Sequence, residues 1–356
     1  MRATFVLPGA CPIPTGGARM VLRYANALVA AGWEVTVMMP PGLREVPFVR
    51  RLFRHGRYWV WRFTEGYSPR TWMSVDARVH MLWVPSLIPQ YAPKADVVVA
   101  TAVQTAEAVA RWPEESGRKY YFVQGYEAWD FPEERVQASW RLPLRKIAIS
   151  RWLCDLIRGV GEQADHLPNG LDPEAFGLDC PLSKRSGLTI LWPHHASRLK
   201  GSTDVVAALN GLPDEFPGLT VRAFGTGPAP DCHSTAIRYS QNPTQKALRE
   251  LYNQASVFIA PSHSEGWGLP ACEALQCGCV LAASDIGGHR EFLQHQRNAL
   301  LHPPGDVTVL RQNIRLLLAD SKLRERLSAN GVADMALLRF EPAVERLQQI
   351  LMQEAK

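Results

Sequence analysis

Short apolar runs alternate with stretches of helical spacing along the whole chain. In the first half, "TFVLP", "WEVTVMMP", "RVHMLWVP", "ADVVVAT", "KYYFVQ" and "RKIAIS" are short, apolar and bounded by turn-forming residues, the mark of buried strands. "ARMVLRYANALVAAG" instead repeats apolar residues three and four apart and stops at Gly32, and helical patterns follow Thr101 and Ser150. The rhythm restarts in the second half. Strands are expected at "LTILWPHH", "LTVRAFGTG", "SVFIAPS" and "CVLAAS", and helices at "STDVVAALNGL", "PTQKALRELYNQA", "VTVLRQNIRLLLAD" and "PAVERLQQILMQ". Such alternation predicts parallel sheets covered on both faces, and 356 residues exceed what one core organises. The expected fold class is α/β, with two Rossmann-like doubly wound domains facing across a deep cleft. The first domain is expected over 1–178 and the second over 179–337, with the polar stretch 177–187 as linker and a helix in 338–356 packing back on the first domain.

Doubly wound sheets bind ligands outside the carboxyl ends of their strands. The stretch 260–291, "APSHSEGWGLPACEALQCGCVLAASDIGGHRE", falls at such an end. Pro270 suits the first helical position, which places Glu265 in the preceding loop and Glu273 in the first turn. Gly266 and Gly268 let the backbone approach a ligand, and the helix start offers free N–H groups. Carboxylates accept hydrogen bonds from sugar hydroxyls, and backbone amides serve phosphate oxygens. The plainer alternative is that Glu273 caps its own helix and Glu265 is solvated. Neighbouring strand ends add Lys200 in "SRLKG", Gly225 and Gly227 in "GTG", and Gly287 and Gly288 in "IGG"; together they favour an anionic ligand. Gly16 and Gly17, directly before the first helix, form either a further phosphate nest or a plain tight turn.

Composition narrows the class. A hydrophobic fraction of 46% and a charged fraction of 21% are those of a globular protein, and no apolar run is long enough to span a bilayer. The N-terminal apolar stretch is too short for an export signal and reads as a strand. Seven cysteines without paired CxxC motifs, with Cys277 and Cys279 in apolar surroundings, read as buried thiols in a reducing cytoplasm rather than zinc ligands. Charge is uneven: residues 1–160 have a net charge of +8 and residues 161–356 a net of −3. A basic first half points to an anionic partner.

The motifs in combination resemble the retaining glycosyltransferases of family 4, also called group 1, which have the GT-B fold, and the resemblance covers almost the whole chain. "EGWGLPACE" matches the family's E-x7-E signature, "LPNGLDPEAF" (167–176) its Asn-Gly-x-Asp segment at the end of the first domain, and "PTGGA", "GTG" and "DIGGHRE" its glycine turns. The resemblance implies that Glu273 accepts hydrogen bonds from the donor's ribose and that Glu265 sits at the donor sugar. The amides of Trp267, Gly268 and Leu269, with Gly266 beside them, contact sugar and phosphate. Lys200 stabilises the departing diphosphate, and Gly16 and Gly17 approach the sugar phosphate from the first domain. The family's arginine five residues before the lysine is here His195, so either Arg198 turns in or His195 supplies a pH-dependent charge. Near the acceptor, Gln124 and Glu127 stand where many relatives have a histidine, a pattern similar to the rhamnosyltransferase-like members and to a deoxysugar donor.

No Asp-x-Asp motif follows an apolar strand, so no metal and no other cofactor is implied. The resemblance implies a retaining, metal-independent transfer from a nucleotide sugar to a saccharide or lipid-linked saccharide in cell-surface polysaccharide or glycan synthesis. A non-catalytic nucleotide-sugar-binding module and a GT-B epimerase or phosphorylase remain as alternatives. The segment 43–63, "LREVPFVRRLFRHGRYWVWRF", is similar to a membrane-surface segment. Arg44, Arg50, Arg51, Arg54, Arg57 and Arg62 would meet headgroups and Phe48, Phe53, Trp59 and Trp61 the interface. A strand and loop with a solvated basic face is the other reading, and no nucleic-acid-binding module surrounds it. The expected place is the cytoplasm, peripheral to the inner face of the membrane.

Overall fold

The computed structural model describes residues 1–43, 48–64, 68–231 and 236–353, and the chain divides into two compact units. Unit 1 comprises Met1–Pro168 with Pro342–Lys356, and unit 2 Asn169–Glu341. Unit 1 runs β1 (Arg2–Val6), α1 (Gly16–Ala30), β2 (Glu34–Met39), α2 (Phe48–Thr64), β3 (His80–Trp83), β4 (Val97–Ala100), α3 (Val103–Ala110), β5 (Arg118–Val123), α4 (Glu133–Trp140), β6 (Arg145–Ala148), α5 (Arg151–Gly159) and β7 (Ala164–His166). Its seven strands are ordered β3-β2-β1-β4-β5-β6-β7, all pairings parallel. Covered on both faces, the "VVVA" of β4 is wholly buried, which is why its run is apolar without alternation.

Unit 2 follows with β8 (Thr189–Pro193), α6 (Ser202–Leu209), α7 (Leu212–Glu215), β9 (Thr220–Gly225), β10 (Ile237–Gln241), α8 (Gln245–Gln254), β11 (Val257–Ala260), α9 (Leu269–Gln276), β12 (Val280–Ser284), β13 (Ala299–His302), α10 (Val307–Ala319) and α11 (Ser321–Met335). Its parallel sheet has the order β10-β9-β8-β11-β12-β13. The core joins Ile190, Trp192, Val257, Ile259, Val280 and Ala282 of the strands to Val205, Leu209, Ile314 and Leu317 of α6 and α10. The last helix, α12 (Phe340–Met352), ends in unit 1, where Arg118 donates to the carbonyl oxygens of Leu351 and Gln353, and the Tyr120 hydroxyl to that of Ile350.

Several sequence expectations are corrected. The units divide after Pro168, ten residues before the expected boundary at 178. Leu171 instead pairs with the far end of unit 2, donating to Leu338 and accepting from Phe340. Residues 177–187 are not a free linker: the Arg185 guanidinium donates to the carbonyls of Cys180, Tyr252, Ala255 and Cys277, pinning the segment to unit 2. The sequence reading missed β7, β10 and β13, and the helices α2, α4, α7 and α11. "IRYSQ" of β10 lies at a sheet edge and is only partly buried, so it has no apolar run to read.

Candidate functional site

In unit 2 the strand order reverses between β8 and β11, neighbours in the sheet with two strands intervening in sequence. The loops leaving these two strands lie at the carboxyl edge, where doubly wound sheets bind ligands. Lys200 stands on the first loop and Glu265 on the second, and the Lys200 Nζ lies 2.7 Å from Glu265 Oε1. The Ser262 hydroxyl donates to the same carboxylate oxygen at 2.8 Å. The two loops are tied by the amide of His263 donating to the carbonyl of Leu199, and by His263 Nε2 2.6 Å from Asp204 Oδ2 in the first turn of α6. Partly exposed, the Lys200 ammonium remains accessible to a ligand.

The loop 265–268 leads into α9. Gly268 has φ +106°, a left-handed conformation, and a Cβ there would lie 2.7 Å from the His289 ring, so glycine is required. Gly288 packs against the backbone of Glu265 and Trp267 in the same way. The Trp267 indole is buried, stacks on Phe292 at 5.7 Å and donates to Cys272 Sγ; it anchors the loop. Among the described residues none accepts from the amides of Gly266, Trp267, Gly268 or Leu269, which leaves four N–H donors around the helix start. His289 is 1% exposed, and its Nδ1 lies 2.8 Å from the carbonyl oxygen of Ser284, so Nδ1 bears the proton. Burial holds its pKa below the usual value, so the ring is neutral with Nε2 as an acceptor beside Gly268.

The helix begins at Leu269, with Pro270 second, and Glu273 lies beyond the first turn; both differ from the expectation. Glu273 is 3% exposed and its Oε2 accepts from the Tyr252 hydroxyl at 3.0 Å, so it neither caps its helix nor is solvated. His195 accepts the Ser197 amide on Nδ1 and donates its own amide to the Ser202 hydroxyl; burial, reinforced by Lys200 and opposed by Glu265, lowers its pKa. A neutral ring at neutral pH follows, not a standing positive charge. Arg198 lies in the same turn with an exposed side chain. Gly225 closes β9, and a Cβ there would collide with the carbonyl oxygen of His194; the carbonyl of Gly227 accepts from the Tyr239 hydroxyl. Packing inside unit 2 accounts for Gly225.

In unit 1 the corresponding reversal lies between β1 and β4. Gly16 and Gly17 open α1 after β1, with Thr15 as N-cap, and the Cα of Gly17 faces the Gln124 amide closely enough that a Cβ would sit 3.3 Å from its Nε2. Glu127 accepts from the amide of Val103, first residue of α3, at 3.1 Å and from the Tyr121 hydroxyl at 3.2 Å. Burial outweighs these donors and pushes the carboxyl up to about 7 from its usual 4.5. The folded chain therefore keeps a proton that the unfolded chain releases between those values, and stability falls as pH rises through that window. Glu127→Gln is expected to abolish this slope and to exceed the wild type by about 2–3 kcal/mol above pH ~8. Thermal unfolding across acid to alkaline pH checks it; parallel profiles for the two proteins would reject a buried titrating Glu127.

No group of three or more His, Cys, Asp or Glu side chains suited to a metal ion occurs among the described residues. Sequence reasoning missed Ser262, Asp204, His263, Tyr252 and His289. Asp204 with His263, Tyr252 with Glu273 and His289 against Gly268 complete contacts between residues distant along the chain, whereas Ser262 bonds Glu265 only three positions on; Ser262, His263 and His289 all stand in the stretch 260–291 without any local sign of these partners. In the basic segment, Arg44 lies outside the described residues, as do the side chains of Phe48, Arg51, Arg54, Arg57, Trp61 and Arg62. Residues 48–64 form a helix, not a strand and loop.

Comparison with known proteins agrees with this architecture. Residues 187–334 match the family model for glycosyl transferases group 1. The chain is 27% identical over 228 residues to the D-inositol 3-phosphate glycosyltransferase of Xylanimonas cellulosilytica, covering 57% of this chain and 55% of that protein. It is 26% identical over 355 residues to the phosphatidyl-myo-inositol mannosyltransferase of Mycobacterium leprae, covering 93% and 91%. The chain spans about half the length, or less, of several of the curated relatives that it matches. Anabaena HepE, solved in complex with UDP-glucose, superimposes with a TM-score of 0.74 over 99% of both chains at 15% identity. Two parallel-sheet α/β units in a GT-B fold are thus established, and the second of them, over residues 187–334, is similar to the glycosyl transferases group 1.

Proposed function

We propose that the protein is a retaining, metal-independent glycosyltransferase that moves a sugar from a nucleoside-diphosphate sugar to a saccharide, free or lipid-linked. One observation carries this reading. The Lys200 ammonium and the Glu265 carboxylate meet at 2.7 Å at the reversal of the unit 2 sheet, beside four amides without a described acceptor. A cation and oriented N–H groups suit a diphosphate, and an adjacent carboxylate suits sugar hydroxyls. The HepE structure holds UDP-glucose and the mannosyltransferase relative is named for a phosphatidyl-inositol acceptor, which supports a nucleotide-sugar donor and admits a lipid-linked acceptor here.

In this mechanism the donor's diphosphate lies against the amides of Gly266, Trp267, Gly268 and Leu269. Lys200 exchanges part of its contact with Glu265 for the leaving phosphate, with Arg198 able to join it. Glu265 and Ser262 then hold sugar hydroxyls, and Glu273 accepts from the ribose. The bond from the anomeric carbon to phosphate oxygen breaks as the acceptor hydroxyl attacks on the same face, and its proton passes to the departing phosphate. Fixed donors aimed at the developing negative charge lower the barrier without reorganising. The test is release of nucleotide from UDP-, GDP- and dTDP-sugars with and without acceptor saccharides, in EDTA. Acceptor-dependent release that persists in EDTA is expected. Release needing added magnesium or manganese would overturn the metal-free mechanism, and release indifferent to acceptor would overturn transfer.

A further inference from the structure

Helix α2 carries an apolar stripe that unit 1 leaves in water. At about 100° per residue, Val49, Leu52, Phe53, Val60 and Phe63 fall within an arc of about 100° on one face. They are 62%, 58%, 76%, 60% and 79% exposed. Tyr58, about 180° from Val49 on the same wheel, is 2% exposed. Its hydroxyl lies 2.8 and 2.7 Å from the carbonyl oxygens of Met39 and Val84, and its ring is 5.0 Å from that of Trp83. Tyr58 thus pins the helix to the ends of β2 and β3 and turns the stripe outward.

A row of solvent-facing valine, leucine and phenylalanine side chains running about 21 Å along a helix marks a surface that another phase or partner covers. The composition of the helix says which. Its sequence contains Arg50, Arg51, Arg54, Arg57 and Arg62 and no aspartate or glutamate. A second copy of the helix would set arginines against arginines, at a cost in repulsion. An anionic bilayer meets both demands at once, apolar below and negative at the headgroups. No helix among the described residues is long and apolar enough to cross a membrane, so the contact is in the plane of the surface.

We infer that α2 docks unit 1 on an anionic lipid surface, with Val49, Leu52, Phe53, Val60 and Phe63 entering the acyl boundary. Of the aromatic side chains expected at the interface, Phe53 is on this face, whereas Trp59 is half-buried and off it. The inference stands on the α2 surface and needs no sugar transfer, so it survives or fails separately from the transferase reading.

The full chain is to be sedimented with vesicles of phosphatidylcholine alone and of phosphatidylcholine with about 30% phosphatidylglycerol. Binding to the anionic vesicles, weakened by salt, is expected. The double substitution Phe53→Ser with Phe63→Ser should lower the partition coefficient about tenfold or more while leaving circular dichroism and the thermal midpoint unchanged, since both side chains lie in water. Arg50→Glu should weaken anionic binding and restore salt independence in part. Absent binding by the wild type, or equal binding by the Phe53/Phe63 variant, would overturn the inference. So would a lipid-free dimer on size exclusion that the Phe53/Phe63 variant dissolves, since that outcome assigns the stripe to a second copy.

Discussion

Lys200→Ala is expected to lower kcat by about 10²–10³ while changing the dissociation constant of the nucleotide sugar far less. The ammonium is the cation that the described structure places at the unit 2 reversal against Glu265. Its charge matters most when the diphosphate departs, because charge develops on the leaving oxygen then and not in the bound donor. The substitution leaves the backbone intact. The following Gly201 holds φ +64° as the N-cap of α6, and Leu199 remains bonded to His263. Glu265 keeps the Ser262 hydroxyl as a partner. Steady-state kinetics alongside calorimetric donor binding separate the two quantities. A variant with wild-type kcat, or one whose entire loss appears in donor affinity, would remove Lys200 from its place at the leaving group.

Glu273→Gln is expected to weaken nucleotide binding by about tenfold to a hundredfold, since a hydrogen bond to a charged group contributes ~1.5–3 kcal/mol. The substitution preserves side-chain volume in a position 3% exposed, so the core of α9 is not hollowed. The contact proposed for Glu273 is with the ribose, so the free nucleoside diphosphate should lose as much affinity as the complete sugar nucleotide. Lys200→Ala has the opposite signature, a loss in turnover. Titration with whichever of UDP, GDP or dTDP binds the wild type best decides it. Unchanged affinity for that nucleotide would confine Glu273 to its bond with Tyr252 and to packing.

In unit 2 the site is built from the loops of two adjoining strands, joined by Lys200 with Glu265 and His263 with Asp204, with Ser262 steadying Glu265 within its own loop. In unit 1, Gln124 beside Gly17 and Glu127 at the start of α3 bring the ends of β1, β4 and β5 together. Near pH 7 the Glu127 carboxyl passes between its protonated and ionised forms, both within reach of Val103 and Tyr121.

Much of this was written in the sequence. Runs such as "VVVA" and "VFIA" are apolar throughout because parallel strands between two helical layers see no solvent face, so the class of fold could be read from them directly. The E-x7-E block was equally legible, because a strand, a glycine loop and a helix start are local features with local residue requirements. Tertiary structure alone decided which strands adjoin. β8 meets β11 across two intervening strands, and so Lys200 meets Glu265 across 65 positions. It also decided where the chain divides, because Leu171 pairs with Leu338 and Phe340, and which face of α2 is wet, because Tyr58 is held by Met39 and Val84. Local propensity acts between near neighbours in the chain. Partner choice among distant segments depends on the packing free energy of the folded whole, which no short window of residues contains.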